Sequence, residues 1–294
     1  MSKSKKEKTG QLILNGIFIL ITIAYIVPFI MVISVSFTEE TTLYQTGYSL
    51  IPQKVDTLAY ELVFKNSGQM IRSYMVTSIF TLAATLLSTL VMALLAYPLA
   101  RPNFIWRNQL NFLVYFTMLF SGGMVPSYLL ITNVLHLDDT IWVYILPGLV
   151  SAYNVMIIRT NYRSIPDELI EAAKIDGAKE LYICFKIMIP LAKPGLASVA
   201  FLFLVAKWND WMTSLLYIRN PDLYSLQYLL QRLLREIDYL KNAAGVGTLD
   251  ASTQPPTETL RFAMALVAAG PVLIIFPFFQ KYFTKGMTLG GVKG

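Results

Sequence analysis

Five consecutive residues, Lys207-Trp208-Asn209-Asp210-Trp211, place two charges, an amide and two indole rings inside an otherwise apolar run. Aromatic faces stack on the C–H surfaces of sugar rings while amides and charges bond hydroxyls, so this mixture suits a saccharide. Charges at membrane depth cost roughly 2.5–3.5 kcal/mol each on insertion scales, so they normally face a cavity or a partner. Read as one continuous helix, Lys207, Asp210, Trp211 and Ser214 fall at i, i+3, i+4 and i+7 on one face, with Asn209 opposite. The bland alternative is that Lys207 and Asp210 neutralise one another within a helix bundle. An ammonium left unpaired by Asp210 would favour an anionic saccharide, such as a uronate-containing oligosaccharide. Tyr153 and Asn154, in a neighbouring apolar run, are weaker candidates for the same substrate pathway.

Covalent and metal chemistry are poorly supplied. The chain contains neither a GxxxxGKS/T phosphate loop nor an HExxH zinc motif, so it is not expected to hydrolyse ATP or bind a cofactor itself. His136, the single histidine, supports neither a catalytic triad nor a zinc site built from histidine pairs. Beside Asp138 and Asp139 it reads as a solvated loop residue. Cys184, the single cysteine, excludes an intramolecular disulfide and reads as a buried small apolar side chain.

Membrane helices must position these residues. Of 294 residues 55% are hydrophobic and 14% charged, against about 25% charged in soluble domains. With several apolar runs near 20 residues, this predicts an all-α polytopic membrane protein. Spans are expected at about 12–37, 70–99, 110–131, 140–158, 195–218 and 262–283, in one transmembrane domain covering 1–294. The first run is far longer than the roughly 7–15 apolar residues of a secretory signal, so it reads as an uncleaved span. Ser121-Gly122-Gly123 and Pro126 interrupt the third span, which the membrane tolerates only where protein or water supplies hydrogen bonds.

The net charge of +6 carries more information in its distribution than in its sum. With both termini cytoplasmic, fifteen Lys/Arg fall on the inner side and eight on the outer, Lys207 being the remaining one of 24. A nucleic-acid partner is not expected from this pattern; a bilayer is. The external loop 219–261 holds an amphipathic helix around Leu226–Leu240, which suits either a protein contact or the membrane interface.

The same orientation puts the charged stretch 163–194 in the cytoplasm. Ser164 with Asp167 three residues on, and Pro166 in the first turn, reads as a helix start. Glu171-Ala172-Ala173 continues the helix, and Gly177 can end it in the left-handed cap conformation. A second helix puts Leu181, Phe185 and Met188 on one face and Lys179, Tyr182 and Lys186 on the other. Pro190 and Pro194 are expected to stop it.

Glu171-Ala172-Ala173, three residues, Gly177, nine residues, then Ile187 and Pro190 resembles the EAA loop of ABC importer permeases. Ile189 stands where that pattern usually has Leu. Together with Trp208-Asn209, the chain is most similar to the carbohydrate-uptake branch. The resemblance implies an ATPase-docking surface of Glu171, Ala172, Ala173, Asp176, Gly177, Ala178, Ile187 and Pro190. It also implies a homologous second permease subunit, two cytoplasmic ATPase subunits holding ATP and Mg, and an extracellular or periplasmic solute-binding protein that delivers the saccharide. The expected location is the bacterial cytoplasmic membrane. Two rivals remain: the same importer architecture for a non-sugar solute, and an ATP-independent secondary transporter. The latter needs no such loop and should show pseudo-symmetry between its halves.

Overall fold

The computed structural model describes residues 5–65, 67–244 and 256–291, with side chains for 10–65, 67–239 and 256–281. Lys3 and Lys293 of the charge count, and part of the external loop, lie outside the described residues. The fold is all-α, as expected. The pairing of extended backbone among the described residues is one isolated antiparallel bridge, Thr38–Val55.

The helices run in chain order as α1 (Lys5–Ser36), α2 (Glu40–Thr46), α3 (Leu58–Phe64), α4 (Ser67–Ala100) and α5 (Arg107–Leu119). Then come α6 (Met124–Leu129), extended by a π turn Leu130–Val134, and α7 (Trp142–Ile145), extended by a 3-10 turn Leu146–Gly148. Around the charged stretch lie α8 (Ala152–Arg163), α9 (Asp167–Ile175), α10 (Glu180–Ile183), a π turn Cys184–Met188 and α11 (Ile189–Leu191). The chain finishes with α12 (Lys193–Trp208), α13 (Met212–Tyr217), α14 (Leu226–Ala244) and α15 (Glu258–Gly291). Contacts gather into two compact units: Met1–Ser67 with Leu230–Gly270, and Gly68–Leu229 with Pro271–Gly294.

Among the described residues, three helices are long and apolar enough to cross a membrane unbroken, over Gly10–Ser36, Ser67–Ala100 and Glu258–Lys281. Three helix pairs meet the same test but are bent at a short break, by 112° between Arg107–Leu119 and Met124–Val134, and by 55° between Trp142–Gly148 and Ala152–Arg163. The third pair, Glu180–Leu191 with Lys193–Trp208, bends by 78°. Counting each bent pair as one span gives up to six, the number expected, although the third pair takes in Glu180–Leu191 of the stretch expected in the cytoplasm. The interruption anticipated at Ser121–Gly123 is the 112° break, and Gly123 turns it at φ 87°.

Two expectations about these spans need correction. The fifth does not run helically from 195 to 218: α12 ends at Trp208, and the short α13 restarts at Met212. Side chains compete with the helix ladder there. Asn209 Nδ2 donates to the Val205 carbonyl, and the Asp210 carboxylate accepts from Thr213 N and Oγ1. The sixth begins at Glu258 rather than 262. Glu40 explains the four extra residues. Its carboxylate accepts the backbone N–H groups of Thr257, Glu258 and Thr259 at 2.9 Å each, and the Thr259 hydroxyl at 2.8 Å. A negative group from α2 thus caps the positive end of α15.

In the larger unit, α4 buries Phe80, Ala84, Met92 and Ala96, and Phe80 stacks on Tyr144 at 4.2 Å between ring centroids. Gly195 lets α12 pass close to α8, since a Cβ there would lie 2.2 Å from Asn161 Oδ1. On α14, burial of Leu226, Leu230 and Ile237 realises the amphipathic helix expected at 226–240.

Candidate functional site

The loop between α8 and α12 is built from two helices at a glycine elbow. α9 starts at Asp167 with Pro166 as its cap residue. Ser164 does not cap it, contrary to expectation; its hydroxyl instead donates to the Asn161 carbonyl and closes the end of α8. At the other end Gly177 takes φ 79°, Gly177 N donates to Lys174 O at 3.0 Å, and Ala178 N to Ala173 O at 2.9 Å. This paired closure is the Schellman motif, and its left-handed backbone at position 177 favours a residue without Cβ. One residue type therefore fixes the angle between the two helices.

The second helix differs from its expected form. Pro190 does not stop it: the chain stays helical from Glu180 to Leu191 and bends only at Ala192. Pro190 has no N–H to give to the preceding turn, and the five residues before α11 widen into a π turn that accommodates the ring. The inward face is made by Ile183, Cys184 and Met188, all buried, whereas Leu181 and Phe185 are exposed. Pro194 sits in the first turn of α12, where a proline costs no helical hydrogen bond.

Ile170, fully buried, anchors α9 to the spans. Arg101, just past α4, pairs with Asp167 at 3.3 Å. Tyr97 on α4 donates a hydrogen bond to Glu180, which also pairs with Lys174 at 2.6 Å across the elbow. Glu171, Ala172, Asp176, Gly177 and Pro190 are exposed. Ala173, Ala178 and Ile187 are half-buried and pack against the core. The eight expected docking residues thus divide into an outward set and a supporting set. Sequence reading missed Ile175, 87% exposed and one turn beyond Glu171. Its position at i+4 from Glu171 was the available signal.

The Lys207–Trp211 segment is not one helical face, because the helix breaks within it. Lys207 Nζ donates to the Tyr144 carbonyl at 2.7 Å and lies 5.9 Å from the Phe203 ring centroid. Gly148 makes room for it, since a Cβ there would meet Nζ at 3.1 Å. Trp208 is buried, tilted against Tyr74. Asp210 is engaged in capping α13, and its carbonyl accepts from Ser225 Oγ at 2.9 Å. Asn209 Oδ1 accepts from Gln227 at 3.2 Å. Tyr153 is exposed whereas Asn154 is buried, so these neighbours face different surroundings.

Tyr144 ties the break together. Its hydroxyl hydrogen-bonds Ser214 Oγ at 2.6 Å and donates to the Leu223 carbonyl at 2.8 Å, while its own carbonyl holds Lys207. One fully buried residue of α7 thus contacts both sides of the gap between α12 and α13. Nothing in the local sequence marked it, because its partners lie 63–79 residues away.

Residues 90–289 match the family model of the binding-protein-dependent transport system inner membrane component. The chain is 36% identical over 289 residues to the polygalacturonan/rhamnogalacturonan transport system permease protein YtcP of Bacillus subtilis, covering 98% of this chain and 100% of that one. It is 31% identical over 296 residues to the arabinooligosaccharides transport system permease protein AraQ of Halalkalibacterium halodurans, covering 98% and 100%. Among solved structures it resembles a chain of a bacterial ABC transporter involved in the import of the acidic polysaccharide alginate. That match has a TM-score of 0.76 and 26% identity, and covers 96% of this chain and 99% of that chain. With bent apolar helices, a glycine-capped loop and likeness along nearly its whole length, the chain belongs to the family of inner membrane components of binding-protein-dependent transport systems, the ABC importer permeases.

Proposed function

We propose that this chain is one permease subunit of an ATP-driven importer of acidic oligosaccharides. The observation that carries the reading is its end-to-end likeness to a polygalacturonan/rhamnogalacturonan permease, alongside a structural likeness to an alginate importer. Galacturonan and alginate are both carboxylate-bearing polymers. In this reading a solute-binding protein delivers the saccharide on the outer side. Two ATPase subunits, holding ATP and Mg, engage the permease pair on the inner side, and both termini of this chain are cytoplasmic. α9 is the contact for one ATPase, through Glu171, Ala172, Ile175 and Asp176. Closure of the ATPase pair pushes α9, and Ile170, Arg101 and Tyr97 carry the push into α4 and the bent spans.

A second reading, a neutral oligosaccharide substrate, is favoured by the 31% identity to an arabinooligosaccharide permease. It is also favoured by Lys207, whose ammonium already serves the Tyr144 carbonyl. Uptake by the reconstituted complex with its binding protein separates the two. Oligogalacturonides should be accumulated with ATP hydrolysis, and a neutral pentose oligomer should not compete. Lys207→Met should weaken acidic uptake by about tenfold or more if the ammonium reaches the path, as loss of one charge-assisted bond implies. Uptake of the neutral oligomer alone would overturn the acidic reading, and uptake without ATP the importer reading.

A further inference from the structure

Beneath α9 three arginines converge on a cavity of about 150 Å³. Arg101 comes from just past α4, Arg107 from the first residue of α5 and Arg163 from the last of α8, with Tyr162 and Asp167 in the same lining. Asp167 is the one carboxylate among the residues lining it, and it pairs with Arg101 at 3.3 Å. The Arg101 side chain is only 12% exposed, so its charge is largely withdrawn from water. Arg159 lies near enough for Arg163 and Arg107 to act on it as like charges. Positive charge is therefore concentrated here well beyond what the protein neutralises.

Tyr162 closes the inner wall of the cavity. It is 1% exposed, and its hydroxyl has no hydrogen-bond partner among the described residues. Surplus guanidinium donors around a small cavity call for a group that accepts several hydrogen bonds and carries negative charge. Planar guanidiniums match phosphate oxygens in pairs. The volume is that of a few water molecules at roughly 30 Å³ each, which suits one phosphate group and excludes an oligosaccharide.

We propose that this cavity is a phosphate-binding site, holding either the headgroup phosphate of an anionic lipid or a soluble phosphate. A phosphate there would link the end of α4, the start of α5 and the end of α8 to the first turn of α9, and relieve the repulsion among their arginines. The site lies on the side of α9 that carries the buried Ile170, and does not depend on the ATPase contact proposed above.

The test uses the assembled complex in maltoside micelles, which contain no phosphate. One arm adds phosphatidylglycerol in mixed micelles and reads lipid retained after washing by phosphorus NMR. The other adds inorganic phosphate, with chloride at equal ionic strength as control, and reads the melting temperature. The wild type should retain the lipid, respond to phosphate, or both, and Arg107→Gln with Arg163→Gln should lose about tenfold or more in affinity. Lipid retention, with or without a phosphate response, assigns a headgroup, and a phosphate response without lipid retention assigns the soluble ion. No binding in either arm, or equal binding by the double variant, overturns the site. Should that variant fail to assemble, the single change Arg163→Gln, at an exposed position of the lining, decides. Weaker binding then supports the site, and unchanged binding overturns it.

Discussion

Glu40 shows how much one side chain can organise in this chain. A carboxylate that accepts three backbone N–H groups and two hydroxyls is held in its charged form. Burial alone would raise its pKa, but the hydrogen bonds from Thr259, Glu258 and Thr257 outweigh burial and hold it below the usual carboxylate value of 4.5. A depressed folded-state pKa stabilises the fold above the unfolded value, and that stability is lost as pH falls through the folded one. Glu40→Gln places an amide N–H against the backbone donors and should cost about 1–2 kcal/mol at about pH 7. Melting temperatures of wild type and variant should converge as the pH is lowered past 4.5. A constant gap across that range would show that the charge of Glu40 does not matter.

At the scale of the element, the loop of α9, α10 and α11 is two helical segments joined at one turn. Gly177 at φ 79° sets the joint, and any side chain there is strained. Gly177→Asp should therefore lose binding-protein-stimulated ATP hydrolysis together with co-purification of the ATPase. Changing that backbone angle re-aims the whole of α9 and costs about 1–2 kcal/mol locally. Ile175→Asp is the sharper probe, because an exposed side chain makes no demand on the fold. It should keep the melting temperature of the isolated chain while weakening ATPase co-purification severalfold. Normal coupling in both variants would remove α9 as the contact. The two helices and their glycine were legible from spacing. The buried face of the second was not, because Leu181 with Phe185 and Ile183 with Cys184 offer two apolar faces, and packing against the spans chose between them.

For the whole molecule, the distribution of lysine and arginine predicts an orientation that can be measured directly. Cys184 is buried and has no free surface for a probe. In a Cys184→Ala background, Gln45→Cys on α2 and Lys179→Cys at the elbow are exposed positions in segments expected on opposite sides. A membrane-impermeant maleimide added to intact cells should label the first and spare the second. Labelling in the reverse order would invert the topology and place α9 away from ATP. The same orientation is required by the transport reading, so this measurement bears on both.

The sequence by itself determined the class of the molecule, its six apolar segments, the motif of the loop and the glycine that bends it. Those properties are local or compositional: apolar length, charge counts, and a backbone angle that one residue type adopts freely. What only the tertiary structure decided were the partners of the polar groups. Lys207 meets a carbonyl 63 residues away rather than Asp210. Glu40 caps a helix 217 residues further along, and Tyr144 closes a break in another span. A buried donor takes whichever acceptor packing brings within reach, and the packing of bent helices follows from long-range burial that local periodicity does not encode.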